Sequence, residues 1–339
     1  MRRSGEIRLG ALVTAVLLAI ALGVSAHADV TIVQTSTSSG MGGFLDSETQ
    51  TETMIKGDRQ CVNTEMKSKL MGMFGGGSKP VQTTTITCID KGVVWDVMHD
   101  SKSYTETPIT RMRDMMGGYA GMGDEGDEQG LGNDDVKMSP PKFSVETTGK
   151  KETIAGYACE QRILHMEMEG EKVETGEKVK LFATVDVMLA KDVPGFEEQK
   201  AFNAKYAKAA GLDEMSESMF GALTEFGVDP DLVAEETGKL EGFPMRVTMT
   251  MRGEGDLMTP SRGEGEEPQD ARTQEMLKKM GGLFGGGAEK AEGGETAATD
   301  ALFSMTTEVT KISTGAISDD RFEPPAGYDK ISDDSEGPE

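Results

Sequence analysis

The chain has 339 residues, with 59 Asp plus Glu against 35 Lys plus Arg, a formal net charge of −24, 36% apolar residues and only 5% aromatic ones. That acidity excludes nucleic acid and anionic lipid surfaces as partners, because both repel a negatively charged protein. Gly at 43 and Met at 24 are both high, so a packed core is expected for part of the chain and loose structure for its glycine-rich stretches.

Arg2, Arg3 and Arg8 precede an apolar run from Leu9 to Val24, and Ser25-Ala26-His27-Ala28 follows it. A basic start, an apolar stretch and a small-x-small site predict a signal peptide over residues 1–28, cleaved after Ala28. The mature protein is then expected in the periplasm or outside the cell. The run is short for a membrane span and no second long apolar run follows, so an integral membrane protein is not expected after cleavage.

Val30 to Thr37, Thr49 to Lys56, Gln60 to Lys67 and Val81 to Asp90 are rich in Thr, Val and Ile and read as strands. Cys61 and Cys88 lie in two of these runs, on either side of the glycine-rich stretch from Met71 to Pro80. A hairpin centred on that stretch sets the two cysteines opposite one another. A Cys61–Cys88 disulfide is therefore expected, with Cys159 a buried free thiol. Val93, Trp95 and Val97 alternate with Val94, Asp96 and Met98, a strand with its more apolar side on Trp95. Ser103 to Thr107 is another short strand, stopped by Pro108.

Residues 112–137 are acidic and glycine-rich and read as a flexible insertion. Gly121, Gly123 and Gly126 match the dinucleotide fingerprint in spacing alone; a preceding strand and a following helix are both missing, and the neighbouring acids would repel a pyrophosphate. Strands resume at Phe143 to Thr148, Cys159 to Met168 and Lys178 to Leu189. A helical insertion then covers residues 196–237, in three pieces: Phe196 to Ala210 stopped by Gly211, Ser216 to Phe226, and Pro230 to Thr237. Its apolar residues, among them Phe202, Tyr206, Phe220 and Leu223, need a partner, most simply one face of the sheet. Phe243 opens another strand, with Val247, Met249 and Met251 on one side. Residues 258–299 read as a second flexible insertion, Leu302 to Ile312 as the last strand, and 331–339 as a disordered tail. Residues 29–330 thus form a single β-rich domain.

His99 and His165 are the only histidines beyond the leader. The sequence carries no His-Glu-x-x-His, Gly-x-Ser-x-Gly, Cys-x-x-Cys or phosphate-cradling loop. His99-Asp100-Ser101 holds the residue types of a triad, but neighbours on a turn are not aimed at one another. No catalytic residue and no cofactor are predicted. Methionine thioethers suit Cu(I), which makes Met166, Met168 and His165 weak metal candidates; on a strand His165 points away from the two methionines, and Met as filler of a core poor in aromatics is the simpler reading.

Several short motifs occur in order: Met54-Ile-Lys-Gly-Asp-Arg59, the Trp95 strand followed by Lys102-Ser-Tyr-Thr-Glu106, Gly156-Tyr-Ala-Cys-Glu160, Lys191-Asp-Val-Pro-Gly195, Gly242-Phe-Pro-Met-Arg246 and Phe322-Glu-Pro-Pro-Ala-Gly-Tyr328. In these the chain resembles the exported bacterial family designated domain of unknown function 4412, itself related to the periplasmic lipoprotein-carrier and lipoprotein-sorting proteins. The resemblance implies a mainly β fold, a curved antiparallel sheet forming an open half-barrel, with the helical insertion packed over one face. It implies a non-enzymatic exported protein that binds an acyl chain or lipoprotein in a cavity, for which Trp95, Phe202, Tyr206, Phe220, Leu223 and Met249 are the candidate lining residues. The alternative is a structural or envelope-interaction protein whose cavity is filled by its own side chains. A methionine-based copper binder and an unrecognised hydrolase rank below both.

Overall fold

Alternating Thr, Val and Ile segments separated by tight turns build one antiparallel system. The computed structural model describes residues 29–40, 43, 46–69, 79–111, 136–173, 175–212, 230–255 and 301–332. The strands are β1 (Val30–Gly40), β2 (Ser47–Lys56), β3 (Arg59–Ser68), β4 (Val81–Cys88), β5 (Val93–Met98), β6 (Ser103–Pro108), β7 (Val136–Met138), β8 (Lys142–Ile154), β9 (Tyr157–Lys172) and β10 (Lys178–Ala190). Helices α1 (Phe196–Ala209) and α2 (Pro230–Gly238) follow, then β11 (Phe243–Glu254), β12 (Ala301–Thr314), a 3-10 turn (Asp319–Phe322) and β13 (Asp329–Lys330). The leader, most of the first flexible insertion, the Ser216 to Phe226 segment with Phe220 and Leu223, all of the second flexible insertion and residues 333–339 lie outside the described residues.

The described strands join in one 13-stranded sheet, ordered β13-β6-β5-β4-β3-β2-β1-β12-β11-β10-β9-β7, with β8 beside β7 on the same edge of β9. All pairs are antiparallel except β13 with β6, which is parallel. The half-barrel is overturned: the path is open from β13 to β7, and the sheet does not curl upon itself. Curling needs repeated bulges or glycine kinks, yet β2 through β6 pair in unbroken register. Nor do β2 to β5 have one apolar face to wrap inward, because the protein's own chain covers both of their faces.

Register shows how. Met54, Cys61, Ile86 and Trp95 are successive partners across β2 to β5 and share one face; Ile55, Gln60, Thr87 and Val94 share the other. The first face packs against the segment after β12, through Ile317, Phe322 and Tyr328. The second packs against α1 and the residues after it, where Val94 meets Ala210, Tyr206 and Leu212, while Phe202 joins Val30, Ile32 and Ile55. Phe202 and Phe322 are 2% and 0% exposed. Each buried side chain of this size contributes about 1.5–3 kcal/mol of transfer free energy.

Two glycines make the helix docking local. Gly195, at φ 81, precedes α1, and a Cβ there would lie 2.2 Å from Val30 Cγ2, so no side chain fits between the helix start and β1. Gly57, at φ 58, opens the two-residue turn between Lys56 and Arg59, a hairpin position that favours glycine. Its N–H donates to Glu198 Oε1 of α1 (3.3 Å), and Lys205 of α1 pairs with Asp58 beside it.

The expected disulfide is also overturned. Cys61 pairs with Ile86, and Cys88 pairs with Arg59. The register is displaced by two residues from the one that sets the cysteines opposite. A two-residue displacement keeps both on one face but makes them diagonal neighbours, about 7–8 Å apart and beyond disulfide reach. Cys61, Cys88 and Cys159 are all free and buried.

Candidate functional site

The residues expected to line one cavity are divided between two faces. Trp95 lies under the C-terminal segment, Phe202 and Tyr206 project from α1 onto the other face, and Met249 sits in a third cluster with Leu164, Val185 and Leu240. Trp95 is held at its edge and on its ring: Nε1–H donates to Glu106 Oε2 (2.9 Å), and Lys91 Nζ stands 5.0 Å from the ring centroid. The Trp95 hydrogen bond, followed by Lys330 at 2.9 Å, holds the Glu106 carboxyl below its ordinary range. Lys91 in turn pairs with Glu323 of the C-terminal segment. Burial pushes the thiols of Cys61 and Cys88 up to about 11, so both are protonated at neutral pH and poor nucleophiles.

His99 does not face Asp100 and Ser101 as a triad would require. Its Nε2 lies 2.8 Å from Thr84 Oγ1 and its Nδ1 3.0 Å from Tyr328 Oη. Thr84 Oγ1 donates to Asn63 Oδ1 (2.8 Å). Ser101 Oγ is 2.6 Å from Ser103 Oγ. The histidine thus links two strands to the C-terminal segment, a structural role.

Beyond α1, the strands β8 to β12 and β1 carry two contrasting faces. One crosswise set runs Ser144, His165, Thr184, Thr250, Ser304 and Ser39; the next runs Glu146, Ile163, Asp186, Thr248, Thr306 and Thr37. Hydroxyls therefore recur from strand to strand at about 4.8 Å, and Thr248 and Thr306 are bonded at 3.1 Å. Arg246 flanks this face, donating from Nη1 and Nη2 to Glu152 (2.9 and 2.8 Å) and pairing through Nε with Glu308. The Arg246 guanidinium holds the Glu152 carboxyl below its ordinary range.

The opposite face is apolar and rich in methionine. Its sets are Phe143, Met166, Ala183, Met251 and Phe303, then Val145, Leu164, Val185, Met249 and Met305. Met166, Met168 and Met251 thus share a face, and His165, exposed on the other side, pairs with Glu146 at 3.5 Å. Sequence reading missed Met251 as their neighbour, because only the strand order places β11 two strands from β9. It also missed Phe322 and Tyr328 as the cover of Trp95; their motif was visible, but its partner strand lies far away in the chain.

Among the described residues no cluster of three or more His, Cys, Asp or Glu could hold a metal ion, and no helix is long and apolar enough to cross a membrane. No protein-family model matches the chain, and no curated protein matches it.

Proposed function

We propose that the protein is an exported, non-enzymatic interaction protein of the cell envelope, whose sheet is filled by its own chain. One observation carries this reading: Phe202 packs on one face of the sheet at β1 and β2 and Phe322 on the opposite face at β2 to β5, so the apolar positions that a carrier would keep for its ligand are taken in cis. The open surface is then the hydroxyl-lined face of Thr184, Thr248, Thr250 and Thr306, suited to a polar partner through hydrogen bonds. Export rests on the leader with cleavage after Ala28. Native mass spectrometry of protein purified from an exporting host is the test. The mass of the chain from Asp29 without adducts supports the reading; stoichiometric acyl lipid refutes it.

A lipid-like ligand is the second reading, favoured by the half-buried Met249, Met251, Phe303 and Met305. Flexible thioether side chains adapt to varied apolar shapes. An acyl chain would lie along this face, outside any half-barrel.

A further inference from the structure

The geometry points to a binding site for a soft monovalent cation, Cu(I) or its redox-inert counterpart Ag(I), formed by the thioethers of Met166, Met168 and Met251. Met166 and Met168 sit two residues apart on β9 and face the same way, both 6% exposed. Ala183 of β10 pairs with Met166 on one side and with Met251 on the other. Because Ala183 ends at Cβ, the space above it is left to the longer side chains on either side, and all three methionines pack in one cluster with Phe143 and Leu181. A larger residue at position 183 would hold the β9 and β11 thioethers apart.

The donor set decides the ligand. Thioethers bind Cu(I) and other soft ions and leave Mg²⁺, Ca²⁺ and Zn²⁺ to oxygen, imidazole and thiolate donors. The cluster offers sulfur alone, since the imidazole of His165 is on the opposite face and pairs with Glu146. Three neutral donors leave the ion its positive charge, and burying that charge is costly. Coordination by sulfur, the ring of Phe143 and the field of a chain with net charge −24 all act against that cost. Binding forms sulfur–metal contacts and neither oxidises nor reduces the protein.

The full chain labelled with ¹³C at the methionine methyls and titrated with Ag(I) in chloride-free buffer tests the site. The methyl signals of Met166, Met168 and Met251 should shift together. Those of Met66 and Met98, which lie in none of the clusters that hold a cysteine, should stay in place as internal controls. The three cysteines also bind Ag(I), so the titration runs to an excess that saturates them. Met166→Leu and Met251→Leu preserve side-chain volume and the fold; each should weaken Cu(I) retention against a chromophoric chelator by about tenfold or more, while Met66→Leu, away from the thiols, leaves it unchanged. Methyls that stay unmoved in that excess, or retention that the Leu variants do not alter, overturn the site. Acyl adducts in native mass spectrometry bear only on the function proposed above, so the two can fail separately.

Discussion

The Sγ–H of Cys88 donates to the backbone carbonyl of Phe322, 3.6 Å away and 234 residues further along the chain. The contact records how the C-terminal segment closes one face of the sheet. Phe322 fills the space over Cys61, Ile86, Cys88 and Trp95, while Lys56–Asp319, Lys91–Glu323 and Lys330–Glu106 tie the segment down at intervals. These exposed pairs add little individually. The buried ring carries the attachment.

Phe322→Ala is therefore expected to cost about 3–5 kcal/mol, read as a lower urea midpoint with an unchanged slope. Replacement of Glu323, in the same segment but exposed, or of its partner Lys91 in the turn between β4 and β5, should cost under about 1 kcal/mol.

The thiols predict an alkaline limit to stability. Burial raises Cys61 and Cys88 from 9.0 in the unfolded chain to about 11 in the folded one. Below pH 9 both states hold the proton and the full stability is present. Between about pH 9 and 11 the unfolded state ionises first, and stability falls by on the order of 2 kcal/mol for each thiol. Urea titrations from pH 7 to 11 check this, and Cys88→Ala should make the decline shallower. Alkylation at neutral pH should spare the native cysteines and label all three in denaturant.

Arg246 predicts the acid side. Its contacts lower the Glu152 pKa, so that pair stabilises the fold above the ordinary glutamate range and is lost as pH falls through the depressed value. Arg246→Met should lower the midpoint at pH 7 and flatten its decline below about pH 5, the range in which an unpaired glutamate takes up its proton.

Gly195→Ala forces a Cβ into Val30 at a positive φ and should destabilise by about 1–3 kcal/mol. Val30→Ala in the same chain removes the two Cγ contacts but leaves the Cβ of residue 30 at 2.6 Å and the backbone strain in place. A double-mutant cycle should thus show coupling of about 0.5 kcal/mol or more between the two sites.

Strand positions were largely legible in the sequence because alternation is local: Trp95 and Val94 read as opposite sides of one strand, and Gly211 marked the end of α1, where it takes φ 67. Which side each cover takes was not legible. Phe322 and Trp95 meet only through long-range packing, and local periodicity carries no information about such a partner. The Cys61–Cys88 register failed for a related reason. Centring the hairpin on its glycines leaves the alternation unchanged when the strands slide by two residues, so Arg59 can replace Cys61 opposite Cys88 without moving any side chain to the other face. Met251 illustrates the same limit at the candidate metal site: its spacing from Met249 was plain, while its proximity to Met166 needed the order of three strands.

Trp95 is the chain's single tryptophan, and its quenching by brominated acyl chains tests the claim of a filled sheet most directly. With Trp95 7% exposed beneath the C-terminal segment, the account predicts a blue-shifted emission that brominated fatty acid or phospholipid leaves unchanged, with quenching appearing only after Phe322→Ala or unfolding. Saturable quenching of the native protein would contradict it, because an acyl chain would then reach the space assigned to Phe322.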